Sequence, residues 1–209
     1  SNISVTVTRE DFLKIPYASY KNLQYGITSF LKGEFDNAIS FFSESINEYN
    51  NNFQAYNLRG RAYRYKENYK DAETDFSTVI SLVPNWSEGW RNKGNILLSQ
   101  NKFDEMIMYF EKAVQLNLKS ALAANNLGYA LGLCKRYNEG LKFCKKAIEL
   151  KPNYKEAYLD CATLYLALGD ETNAELYTTL GNKIEENDEH IYILGDDEYE
   201  KNIGGNSHL

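Results

Sequence analysis

Residues 53–86 read FQAYNLRGRAYRYKENYKDAETDFSTVISLVPNW, and residues 87–120 read SEGWRNKGNILLSQNKFDEMIMYFEKAVQLNLKS. Laid one under the other, they share a glycine (Gly60, Gly94), then an aromatic residue (Tyr69, Phe103), then a phenylalanine (Phe76, Phe110). The register extends both ways. Gly26, Gly60, Gly94 and Gly128 fall 34 residues apart, and the next step lands on Ala162. A second column is Ala38, Ala72, Met106, Gly140 and Ala174; a third is Phe35, Tyr69, Phe103, Tyr137 and Glu171; a fourth is Phe42, Phe76, Phe110, Cys144 and Thr178. Self-similarity at a fixed period of this length marks a repeat architecture.

Each unit reads as two helices. In residues 87–120, Trp90, Leu97 and Leu98 recur at helical spacing, and the polar stretch Ser99-Gln100-Asn101-Lys102 follows. Phe103, Met106, Ile107, Phe110, Ala113 and Val114 then form a second apolar stripe at three- and four-residue steps. The small-residue column is expected to let one helix backbone approach its neighbour. Pro84 and Pro152, two periods apart, are expected to follow helix ends, where proline stops a helix. The joint Asn50-Asn51-Asn52 punctuates the chain in the same way.

Composition is that of a folded protein, with 43% hydrophobic and 25% charged residues, and the longest apolar runs are too short to span a membrane. The net charge of −6 is unevenly placed. Residues 185–209 hold eight acids and one base, which leaves 21 acids and 22 bases in residues 1–184. The body is near neutral, without the dense basic surface of a nucleic-acid binder, so neither nucleic acid nor membrane insertion is expected. Cys134, Cys144 and Cys161 lack metal-ligand spacing and cannot all pair with one another. They read as core residues in a reducing compartment, which favours the cytoplasm, although an export signal upstream of Ser1-Asn2 could have been lost. Both histidines, His190 and His208, lie in the tail. With no phosphate-binding glycine loop, nucleophile elbow or zinc-type pair, no enzyme activity and no cofactor or metal are expected.

On these residues the chain resembles the tetratricopeptide repeat family over about 170 of its 209 residues. Residues 53–86 supply the family's pattern as Tyr56, Gly60, Tyr63, Ala72, Phe76, Val79 and Pro84, and residues 87–120 as Trp90, Gly94, Leu97, Phe110 and Ala113. Arg59 and Lys93 depart from it, standing where leucine is usual; their stems are expected to pack while the charge reaches water. The resemblance implies an all-α, right-handed superhelical solenoid of five helix-turn-helix repeats (19–52, 53–86, 87–120, 121–154 and 155–188). A short N-terminal arm (1–18) and an acidic C-terminal tail (187–209) flank it. Glu171, Thr178 and Gly181 in the last unit suggest a C-terminal cap with a polar outer face. In the arm, residues 3–7 alternate like a strand, and Thr8 with Asp11 resembles a helix start before Pro16. Residues 191–194 read as another short strand.

The resemblance also implies that the first helix of each pair lines a concave ligand face through its second, fifth, sixth, ninth, twelfth and thirteenth positions. Repeat two places Asn57, Arg61, Arg64 and Tyr65 there; repeat three Arg91, Asn92 and Asn95; repeat four Asn125, Asn126 and Tyr129. Repeat five contributes Glu156 and Asp160, of opposite character. Asn92 and Asn126 share one position, and a ladder of exposed carboxamides can grip a peptide backbone. Arg61, Arg64 and Arg91 add a strip suited to carboxylate or phosphate. The expected ligand is an extended, acidic peptide or protein segment. Family members that clamp the carboxylate tail of heat-shock chaperones need two cations where repeats three to five offer Glu156 and Asp160, so that ligand is not expected. The reading is a non-catalytic protein–protein interaction adaptor. The runners-up are a self-assembling scaffold joined through terminal repeats and arms, and the regulatory module of a longer protein. A further idea is that the acidic tail itself occupies the arginine-bearing groove.

Overall fold

The structure, a computed structural model, describes residues 15–184. The strands expected at 3–7 and 191–194, the helix start at Thr8 and Asp11, and the acidic tail lie outside the described residues. Among the described residues the fold is all-α, with ten helices in five consecutive helix-turn-helix pairs. The pairs are α1 (Tyr17–Leu31) with α2 (Phe35–Glu48), α3 (Phe53–Tyr65) with α4 (Tyr69–Leu82), α5 (Ser87–Ser99) with α6 (Phe103–Leu116), α7 (Ala121–Leu133) with α8 (Tyr137–Leu150), and α9 (Lys155–Ala167) with α10 (Glu171–Asn182). The described residues fall into two compact units, 15–96 and 97–184, each with its own core.

The turn inside each pair is the same object five times. Gly33, Glu67, Asn101, Lys135 and Gly169, spaced 34 apart, all have positive φ, between 58° and 78°. At each, the residue's N–H bonds the carbonyl three back, and the next N–H bonds the carbonyl five back, as in Glu67 to Arg64 (2.9 Å) and Asn68 to Tyr63 (2.9 Å). This Schellman pattern satisfies the last carbonyls of the first helix and reverses the chain in two residues. The second helix then starts, with Asn68 and Asp170 capping it by accepting from Asp71 N and Asn173 N. Between pairs the chain extends at Tyr49, Val83, Asn117 and Lys151, with Pro84 and Pro152 directly after two of these residues. Trp90 Nε1–H and Tyr158 O–H reach back to the Pro84 and Pro152 carbonyls at 2.8 and 3.1 Å.

Glycine and aromatic columns meet inside the pairs. A Cβ on Gly26 would lie 2.4 Å from the Phe42 ring, and one on Gly60 would lie 3.0 Å from the Phe76 ring. In the first unit the glycine therefore admits a ring rather than a backbone. In the second unit, Cys144 replaces the ring and the helices close up: a Gly128 Cβ would lie 2.9 Å from the Gly140 carbonyl oxygen. There the expected backbone approach occurs. Cys144 and Cys161 are fully buried beside Leu141 and Leu164 in the core of this unit.

Two expectations need correction. Arg59 does not leave its charge in water: it binds the buried Asp75 through Nε–Oδ2 (2.9 Å) and Nη2–Oδ1 (2.8 Å), with Nη1 on Ser43 Oγ at 2.9 Å. Lys93 Nζ likewise donates to Ser77 Oγ at 2.9 Å. Where the family has leucine, these cations tie one pair to the preceding one. The last pair is also less polar outside than expected, since Leu166, Leu176 and Leu180 are 62%, 50% and 38% exposed beside the exposed Glu171 and Thr178.

A non-glycine residue in the left-handed region costs about 1 kcal/mol. Lys135→Gly, which puts at this exposed turn the residue found at 33 and 169, should stabilise the protein by about 0.5–1 kcal/mol, read as a higher denaturant midpoint.

Candidate polar faces on the first helices

In the first unit, the sequence-predicted residues converge on a carboxylate the sequence reading passed over. Glu88, 2% exposed, opens α5. Its Oε1 accepts from Asn57 Nδ2 (3.3 Å) and from Asn92 Nδ2 (3.4 Å), and lies 3.6 Å from an Arg91 nitrogen. Asn92 Nδ2 also donates to Asn57 Oδ1 at 2.8 Å. Asn57 and Asn92 are thus buried, at 2% and 5% exposure, and joined across neighbouring repeats. The exposure expected of Asn92 does not hold: its carboxamide is used up inside the fold. Glu88 Oε2 and Arg91 Nε are buried with no hydrogen-bond partner, an acceptor and a donor one helical turn apart.

Around this network lie the cations. Arg61, half-buried, stands over the Phe30 ring at 5.4 Å. Burial lowers its pKa, Arg91 and Arg64 lower it further, and Glu88 opposes them, so all four charges act within one patch. Arg64, half-buried, lies 5.6 Å from the Tyr65 ring centre. Tyr65 is 51% exposed, stacked on Phe35 at 4.9 Å and edge-on to Phe30 at 5.6 Å. Asn95 is half-buried and engaged within the fold. The available signal for Glu88 was its place as the second residue of its unit, one of the six family positions, one turn before Arg91.

The second unit repeats the link in another form. Asn125, 4% exposed, donates from Nδ2 to Asp160 Oδ2 at 2.7 Å, while its buried Oδ1 has no partner. Asn126 is half-buried and engaged within the fold, and Tyr129 is 41% exposed. Burial, with the nearby Glu156 charge adding to it, pushes the Asp160 carboxyl up to about 6, against the opposing hydrogen bond from Asn125. Apart from this face, a groove of about 590 Å³ is lined by Asn138, Leu141, Lys142, Lys145, Tyr165, Leu168 and Asp170, with Lys145 Nζ 5.1 Å from the Tyr165 ring centre. None of the sequence-predicted residues lines it. Among the described residues no group of three or more His, Cys, Asp or Glu could hold a metal ion, and no helix is long and apolar enough to cross a membrane.

A profile described as Tetratricopeptide repeat matches residues 53–85, 87–120 and 121–154. The chain is 30% identical over 88 residues to TPR repeat-containing thioredoxin TTL4 of Arabidopsis thaliana, a match covering 42% of this chain and 13% of that protein. It is 32% identical over 82 residues to the Hsp70-Hsp90 organizing protein of Triticum aestivum, covering 39% and 14% respectively. The chain therefore spans about an eighth to a seventh of these relatives. Among solved structures it is similar in fold to PilW, a type IV pilus biogenesis factor, with a TM-score of 0.75, 19% identity, and coverage of 80% of this chain and 77% of that one.

The raised Asp160 pKa has a consequence for stability. An unfolded aspartate titrates near 3.9, so between about 4 and 6 the folded state holds more protons than the unfolded one. This group's effect is thus a stability that falls as pH rises through that window and stays lost above it. Asp160→Asn keeps an acceptor for Asn125 Nδ2 and offers a donor to Asn125 Oδ1. It should remove that part of the pH dependence and raise stability at pH 7 by about 1–2 kcal/mol, allowing for partial exposure, as measured by thermal melts at pH 4.5 and 7.

Proposed function

The chain belongs to the tetratricopeptide-repeat family, and from that premise we propose that it is a non-catalytic adaptor that holds an extended, acidic segment of a partner protein. Such relatives support a protein–protein interaction role; to that we add an acidic ligand seated on the first-helix face. The observation that carries it is the charge imbalance of the first unit. Arg61, Arg64 and Arg91 share a patch with one carboxylate, Glu88, which lies 3.6 Å from Arg91. Tyr65, half out of the fold on its aromatic base, gives an incoming chain an apolar surface beside the cations. Guanidinium forks favour carboxylates held bidentately, and charge complementarity sets partner choice more than affinity. In this reading Asn57 and Asn92 set the spacing of the first helices in the first unit, where Arg61, Arg64, Tyr65, Arg91 and Asn95 face the partner; within the second unit Asn125 plays the spacing role, and Asn126 and Tyr129 are that unit's own candidates for contact.

The test uses fluorescein-labelled oligoglutamate and oligoglutamine peptides in polarisation titrations. Oligoglutamate should bind in a salt-sensitive manner, oligoglutamine should not, and Arg61→Gln/Arg64→Gln should weaken oligoglutamate about tenfold or more with the helical circular dichroism unchanged. Equal binding of both peptides would remove acidity from the reading, and no effect of the arginine pair would remove the site.

Self-association is a second reading, favoured by one observation. Leu176 and Leu180 lie exposed where the other second helices carry Ser40 and Glu44, Thr74 and Thr78, Met108 and Lys112, and Lys142 and Lys146. An apolar pair at a mostly polar place suits contact with another copy. Sedimentation should then show mass rising with concentration, reversed by Leu176→Glu/Leu180→Glu; a constant monomer at high micromolar concentration counts against it.

A further inference from the structure

We infer that Glu88 is a built-in counter-ion that limits how tightly the arginines of the first unit hold an acidic ligand, so that its charge sets the affinity of the site. The inference rests on the acidic-ligand reading above and names a determinant within it. Glu88 is not an ordinary ion-pair partner. It is held by two carboxamide donors, Asn57 and Asn92, which themselves are bonded to one another. That cradle fixes the carboxylate where it cannot swing out to meet a guanidinium squarely. Its approach to Arg91 is accordingly poor: 3.6 Å through one oxygen, with Glu88 Oε2 and Arg91 Nε both left without a hydrogen-bond partner. Arg59, two residues from Arg61, shows the good geometry available to arginine in this fold, with two parallel bonds of 2.9 and 2.8 Å to Asp75.

Arg91 is thus neutralised without being satisfied. A ligand carboxylate that reaches the exposed part of Arg91, 12% of its side chain, offers it a closer charged contact than Glu88 does. Arg61 adds its charge from the neighbouring helix, within electrostatic reach of both Glu88 and Arg91. The same Glu88 charge repels the incoming carboxylate at short range, in a buried setting where screening by salt is weak. Attraction by the arginines and repulsion by Glu88 therefore act on one ligand atom group, and the outcome is a weak, readily reversed grip. Glu88→Gln keeps the Oε1 acceptor for Asn57 and Asn92 and removes only the charge.

The experiment titrates labelled oligoglutamate into wild type, Glu88→Gln, Arg91→Met and Glu88→Met/Arg91→Met, with thermal melts of each protein alone and with peptide. Glu88→Gln should bind about tenfold tighter. Free, it should melt lower, because Arg61 and Arg91 lose their counter-ion, and the peptide should restore the loss. If Glu88→Gln does not fold, the double variant decides. With both charges gone its affinity should stay within about threefold of wild type, whereas Arg91→Met alone should lose about tenfold. A Glu88→Gln affinity equal to or below wild type overturns the inference, as does a double variant as weak as Arg91→Met. If wild type binds and these outcomes fail, only the role of Glu88 falls; if neither wild type nor Glu88→Gln binds oligoglutamate, the acidic-ligand reading falls with it.

Discussion

Between the two helices of the second pair, Gly60 leaves room for the ring of Phe76 and for nothing more, since one added carbon would sit 3.0 Å from it. Close packing of this kind sets how near the helices lie, and interiors at crystal-like density transmit such spacing to their neighbours. The left-handed turn at Glu67 fixes the direction in which the second helix returns. Together they make each pair a rigid hairpin whose first helix presents fixed positions to the next pair. Asn57 can reach Glu88 and Asn92 because that presentation is constant. Where Cys144 takes the ring's place, the hairpin tightens onto the Gly128–Gly140 backbone contact and keeps the same turn.

The columns of glycine, alanine and aromatic residues were legible because they record packing inside a hairpin, where sequence distance and spatial contact keep one relation. The polar face was less legible for the opposite reason. Asn57 and Asn92 lie 35 residues apart, and whether a carboxamide on a first helix meets solvent or another side chain depends on how adjacent hairpins dock. Asparagine looks the same in either case. The arginine departure at Arg59 was visible, but nothing in the sequence singles out its buried partner Asp75, 16 residues on, among the acids of an amphipathic helix. The turn column at 33, 67, 101, 135 and 169 escaped notice because only two of its five members are glycine.

Charge in this fold is used twice. Arg59 and Asp75 form a well-made pair between the two helices of one hairpin, with Arg59 Nη1 reaching Ser43 of the preceding one, and burial holds the Asp75 carboxyl above its ordinary value even so. Arg61, on the same helix, points its charge into the first-helix patch. A buried ion pair with full bidentate geometry is a structural joint, whereas a buried carboxylate facing guanidinia at a distance is a source of field. The helix period of 3.6 residues separates the two roles by placing residues two apart on different faces.

The links between neighbouring hairpins also carry information about order. Asn57 is matched by a glutamate and an asparagine from the following repeat, and Asn125 by an aspartate. Repeat arrays commonly grow and shrink by copying whole units, which works when every junction is alike. Here the junctions are individual. Setting the fifth unit directly after the second would give Asn57 the Asp160 partner that Asn125 has now, in place of Glu88 and Asn92. Each seam thus has its own chemistry on a shared outline: one carboxamide position takes either kind of partner, and the unit that follows decides which.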